Sequence, residues 1–101
     1  MTINIKATKM ELTSAIESYV REKVGSLEKY FDNIIGIEVE VGLTSGHHNK
    51  GDIFRAEINL EVPKKILRAE AETDDLYKSI TAAKDVMKNE MIKFKETLRG
   101  E

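Results

Sequence analysis

The segment "IFRAEINLEV", residues 53–62, alternates apolar and polar side chains. An extended chain points successive side chains to opposite sides, so it turns this pattern into one apolar face and one polar face. Phe54, Ala56, Ile58, Leu60 and Val62 share the apolar face. The same period of two recurs in "TINIKA" (2–7), "IEVEVGL" (37–43) and "ILRAEAE" (66–72). Four half-covered strands need something laid over their apolar sides.

Two segments of helical period supply it. In "LTSAIESYVREKVGSLEKYF" (12–31), Ile16, Val20, Leu27 and Phe31 form one stripe, with Tyr19, Lys23 and Tyr30 on its flank. Thr13 or Ser14 is placed to cap this helix, and Ser14 with Glu17 has capping-box spacing. A second helix is expected from Thr73, as its cap, to Arg99, with Asp74 and Asp75 at its positive end and Gly100 as its stop. Its buried stripe reads Leu76, Ile80, Ala83, Met87, Met91, Phe94 and Leu98. The order βαβββα predicts an α+β sandwich: a four-stranded mixed sheet with two helices packed on one face. The first βαβ unit should be a right-handed parallel crossover, followed by antiparallel hairpins.

Composition narrows the function classes. At 101 residues the chain is read as a single domain, 1–101. It contains no cysteine, which removes disulfide and thiolate chemistry. No apolar run approaches the ~20 residues of a membrane span, and the N-terminus alternates where a signal peptide would be continuously apolar. A cytoplasmic protein with no membrane partner is expected. Adjacent His47 and His48 sit in a loop-like "TSGHHNKGD", which predicts a mobile stretch at 45–51 without a metal. No phosphate-binding glycine loop is present, and Ser14, Ser18, Ser26, Ser45 and Ser79 have no evident base partner. The reading is therefore of a protein that is no enzyme, with no cofactor, no metal and no small-molecule substrate.

The net charge of −2 conceals a division. The sheet's polar side carries Glu38, Glu40, Glu57, Glu61, Glu70 and Glu72 against Lys6, Arg55 and Arg68, and it lacks the aromatic rings on which single strands stack. On the second helix, Lys84, Lys88, Lys95 and Arg99 fall within about 60° of one another, beside the buried stripe. Tyr77 shares their angle, while Asp85, Glu90 and Glu96 lie outside the arc. Twenty-five helical residues extend to roughly 38 Å. Strands of seven or eight residues span about 25 Å. The last two turns, with Lys93, Lys95 and Arg99, should then project beyond the sheet. A one-sign strip on such a rod suits a groove lined by phosphates.

Several segments together resemble a known family. "ELTSAIESYVREKVGSLEKYFD" is similar to the first helix of the ribosome hibernation-promoting factors, also called ribosome-associated inhibitor A or sigma-54 modulation proteins, and "LRAEAETDDLYKSI" resembles their turn into the second helix. The resemblance implies a protein that binds the small ribosomal subunit and its ribosomal RNA in the channel of messenger and transfer RNA, silencing translation under stress. By position, it implies that Lys23 on the first helix, and Lys93 and Lys95 on the second, are basic contacts. Glu17, Ser26, Val86 and Asn89 stand where members often carry cations, which implies a thinner patch. The chain stops at Glu101, so the resemblance suggests a short form, or an isolated N-terminal domain, without the further C-terminal pairing domain of long members.

The resulting expectation is a ribosome-associated translation inhibitor. Lys84, Lys88, Lys95 and Arg99 contact phosphates in this reading, assisted by Lys23, Lys78 and Lys93. Two alternatives share the fold. One is a protein-interaction module using the acidic sheet face or its edge strands; the other is a shape-reading binder of double-stranded RNA.

Overall fold

The computed structural model describes residues 1–44 and 51–100. The expectation for the histidine loop falls on residues 45–50 and lies outside the described residues. Four strands run in sequence order across one sheet: β1 (Thr2–Thr8), β2 (Gly36–Leu43), β3 (Phe54–Val62) and β4 (Lys65–Thr73). β1 and β2 are parallel, and the two later pairs are antiparallel. Helix α1 (Ser14–Gly25) crosses from β1 to β2, and helix α2 (Leu76–Leu98) follows β4. The α+β sandwich read from the alternation is the fold observed.

Register aligns the apolar sides into rungs. Ile3–Ile37–Leu60–Leu67 and Ile5–Val39–Ile58–Ala69 cross all four strands. α2 lies across β4 and β3, while α1 covers β1 and packs against α2. Val20, Val24, Leu27, Ile80, Met87 and Met91 close the core from above, all fully buried. Gly42 sits where β1 and β2 approach closely: a Cβ there would collide with the Thr8 carbonyl.

The first helix is shorter than its periodicity suggests. It gives way after Gly25 to a 3-10 turn, Ser26–Tyr30. The Ser26 hydroxyl donates back to the Lys23 carbonyl at 2.6 Å, competing with the helix ladder at a Gly-Ser pair and favouring the tighter turn. Leu27 remains buried and Phe31 packs on Phe94, so the apolar stripe survives the change of pitch. The cap is Thr13, whose hydroxyl accepts from the Ile16 amide. Glu17 does not complete a capping box; it pairs with Arg21 at 3.1 Å.

The second helix also differs in its ends. Asp75, not Thr73, is its cap and accepts from the Lys78 amide at 3.0 Å. Thr73 instead closes the turn before it, accepting from the Asp75 amide. The expected overhang is smaller. Twenty-three residues reach about 34 Å. The nine residues of β3 and of β4 reach about 31 Å. Phe94 is half-buried against Phe31, and only Leu98, 62% exposed, and the residues after it leave the packed layer. Two further side chains depart from the alternation: Phe54 is half-buried, and Glu57, in a central strand, is half-buried rather than exposed.

Two local features generate predictions. The hairpin between β3 and β4 turns on Pro63 and Lys64, and Lys64 holds φ 69°. A proline followed by positive φ is the type II pattern, whose second central position favours glycine. Lys64→Gly is expected to stabilise the fold by about 0.5–1 kcal/mol, read as a higher thermal midpoint; an unchanged or lower midpoint contradicts this account of the turn. Ser79 is the one polar side chain of the described core, fully buried. Its hydroxyl donates to the Phe54 carbonyl at 2.8 Å and accepts from the Thr73 amide at 3.0 Å, linking residues opposite each other in β3 and β4. Ser79→Ala orphans that amide and carbonyl and should cost about 1–2 kcal/mol in chemical denaturation.

Candidate nucleic-acid interface

Contacts fix which side of α2 carries the cations. Tyr77 meets Tyr19 of α1 edge to face, with ring centres 4.8 Å apart and planes at 87°. The Tyr19 hydroxyl hydrogen-bonds the Thr81 hydroxyl at 2.7 Å. The side of α2 bearing Tyr77 therefore faces α1. Lys84, Lys88, Lys95 and Arg99 continue along that side at helical spacing.

Aromatic rings position several of these cations. The Lys88 ammonium lies 5.2 Å from the centre of the Tyr30 ring, in the 3-10 turn. Lys23 stands 5.4 Å from the Tyr19 ring centre. Such contacts contribute about 0.5–1 kcal/mol at exposed sites and hold the charge without neutralising it. Among the described residues, Lys23, Lys88, Lys95 and Arg99 have no carboxylate within ion-pair distance.

The structure divides the set expected from sequence. Lys23 and Lys88 flank the seam between the helices, Lys84 lies between them by helical spacing, and Lys95 and Arg99 continue the same angular line toward the end of α2. Lys84 is less free than expected: its ammonium reaches Asp85 at 2.7 Å, because the adjacent carboxylate can bend into the arc that its Cβ position avoids. Lys78 lies on the outward side of the first turn. Lys93 does not project beyond the sheet. It sits on the opposite flank of α2, beside Lys65 and Arg68 of β4, and pairs with Glu90 at 3.5 Å. Lys29 was missed. Its ammonium lies 5.4 Å from the same Tyr30 ring that Lys88 covers, which brings it to the seam.

The opposite surface of the sandwich has a different character. Register places Lys6, Glu40, Glu57 and Glu70 in one row across the sheet. Like charges directly opposite repel. Arg55 answers them, making two hydrogen bonds to Glu70 (3.1 and 3.3 Å) and an ion pair with Glu57 at 3.5 Å. The hydrogen bond from Arg55 holds the Glu70 carboxyl below the ordinary glutamate range, and that same bond raises the Arg55 guanidinium. Glu40 accepts from Thr8, and Glu38 from Asn4 at 2.8 Å. Much of the sheet's acidity is thus already engaged within the sheet.

Among the described residues, no three His, Asp or Glu side chains converge on a possible metal position. None of the described helices is long and apolar enough to cross a membrane.

These features define a small helix-on-sheet protein with a cation-lined seam between its helices. The chain belongs to the sigma 54 modulation protein / S30EA ribosomal protein family, whose model matches residues 3–99. That family is not one of enzymes. The ribosome hibernation promotion factor of Bacillus subtilis is 28% identical over 95 residues, covering 94% of this chain and 49% of that protein. The ribosome hibernation promoting factor of Azotobacter vinelandii is 30% identical over 96 residues, covering 95% of this chain and 84% of that one. Among solved structures, the N-terminal domain of Thermus thermophilus Protein Y superposes with a TM-score of 0.75 at 32% identity, covering 93% of this chain and 99% of that one. The chain spans about half the length of several curated relatives, 44–49%.

The Arg55–Glu70 pair gives a prediction for the sheet face. Because the folded carboxyl is depressed, its contribution is present above the ordinary glutamate pKa and is lost as pH falls through the folded value. Carbon-detected NMR titration should show Glu70 among the lowest-titrating glutamates. In Arg55→Met its midpoint should rise to or above the ordinary range, since Glu57 then faces it uncompensated; an unmoved midpoint would remove Arg55 as the cause.

Proposed function

We propose that this chain is a ribosome-associated translation inhibitor of the cytoplasm. It binds small-subunit ribosomal RNA in the messenger and transfer RNA channel, using the cations of the helix seam. One observation carries the reading: Lys23, Lys88, Lys95 and Arg99 lie along one side of the helical layer, and none is paired with a carboxylate among the described residues. The names of its relatives, ribosome hibernation promotion factors, supply the partner.

The chemistry of the seam favours backbone recognition. Lysines dominate it, and an ammonium is a point charge without the fork that reads a carboxylate or a guanine edge in two bonds. Phosphate contacts fix position and orientation on RNA and carry no sequence information themselves. Lys23 and Lys88 already rest on tyrosine rings, so less side-chain freedom is lost when a phosphate is met. Inhibition then needs no chemistry. A protein occupying the channel excludes the nucleic acids that use it, and release restores function. Lys84 joins when its ammonium exchanges Asp85 for a phosphate. Lys78 borders the seam from outside, while Lys93 contributes only to an RNA that also wraps the β4 flank.

The test is co-sedimentation with purified small subunits. With four phosphate contacts, the slope of log affinity against log salt should be about −3 to −4. The double variant Lys88→Glu, Lys95→Glu should lose binding while keeping the wild-type circular dichroism. Glu38→Lys, Glu61→Lys should bind at least as well as wild type. If the helix variant binds normally and the sheet variant fails, the acidic face is the interface and this reading is wrong.

A further inference from the structure

A shallow hollow of about 330 Å³ opens beside the start of the seam, lined by Tyr19, Tyr77, Lys78, Thr81, Ala82 and Asp85. Tyr77 stands out there. It is 40% exposed, and its hydroxyl makes no hydrogen bond among the described residues. At that exposure Tyr77 is a surface ring and not part of the core. Nor is it loosely placed. Tyr19 meets it at 87°, Thr81 fixes the Tyr19 hydroxyl, and Lys23 lies over the Tyr19 ring. In a perpendicular pair neither ring is sandwiched, so an oriented aromatic surface is left for a further ring.

We infer that this hollow holds one unstacked nucleobase of a single-stranded RNA, laid on Tyr77, while the adjoining backbone runs along the cations of the seam. This rests on the reading of the seam as a phosphate-binding surface and adds to it a site for a base. Three observations favour a nucleobase over another apolar guest. The hollow is continuous with the cation line: the Lys84 ammonium bonds Oδ1 of Asp85, a residue of its rim. Its rim has both hydrogen-bonding senses, a donor in Lys78 and an acceptor in Asp85, as the edge of a base requires. Its apolar part is the rings of Tyr77 and Tyr19 with Ala82, a surface suited to a flat guest, and base–aromatic stacking tolerates any base because each has a π-face. An A-form duplex offers no free base face to Tyr77, so the site distinguishes a single strand from a duplex of similar charge.

The chain has three tyrosines and no tryptophan, so stacking on Tyr77 is visible as quenched tyrosine fluorescence. The probes are an oligoadenylate dodecamer and an abasic ribose-phosphate polymer of the same length and charge, each titrated at low and moderate salt. Wild type should bind oligoadenylate about 5- to 100-fold more tightly than the abasic polymer. Tyr77→Leu should bind both polymers alike, at the affinity of wild type for the abasic one, and Tyr77→Phe should keep the preference. Circular dichroism checks each variant's fold. Equal affinity of wild type for both polymers, with the salt slope retained, overturns the base site and leaves the phosphate-binding reading standing. Failure of both polymers to bind at low salt removes both readings. A preference that persists in Tyr77→Leu also overturns the assignment, because the base is then held elsewhere.

Discussion

The rest of the structure depends on the phase of the strands. Ile5, Val39, Ile58 and Ala69 form one rung, and Lys6, Glu40, Glu57 and Glu70 form the next. A slip of one residue in β3 would carry Ala56, Ile58 and Leu60 to water and bring Glu57 and Glu61 under the helices. Burying even one uncompensated carboxylate is far more costly than any local propensity can offset. The sheet therefore has one acceptable register, and that register decides which way each helix stripe must face. Once α2 lies over β3 and β4, the angular position of each lysine relative to the core is settled.

The layers and the order of elements were legible because periodicity reports burial directly, and burial organises this fold. What was not legible is instructive. The break at Gly25–Ser26 depends on a side-chain bond from Ser26 to Lys23, which apolar spacing does not reveal. Choosing Asp75 over Thr73 as the cap depends on backbone angles at a three-residue junction. Lys64 occupies a position suited to glycine, so composition gave no hint of a positive φ there.

The cation strip itself was visible as an arc on a helical projection, but its partition was not. A projection shows where Cβ atoms point, whereas a long flexible side chain chooses among neighbours several ångströms away. Lys84 and Asp85 are adjacent in sequence and separated in angle, yet they meet. Lys93 looked like part of a projecting tip; β4 begins early enough at Lys65 to lie beside it. The aromatic supports under Lys23 and Lys88 required tertiary contact between elements. They are what distinguishes a held charge from a merely solvated one.

The thinness of the molecule has a consequence for its electrostatics. Its shortest principal extent is 19 Å. Acidic groups lie on one broad side, and the helix seam lies on the other. Mobile ions at physiological strength damp a charge's field over about 8 Å. Each broad side therefore presents its own potential to an approaching molecule, almost independently of the other, and the net charge of −2 is felt by neither. A protein built this way behaves as an oriented dipole. If the seam is the surface that meets phosphates, an extended anionic partner within that screening distance would favour the orientation that turns the seam toward it.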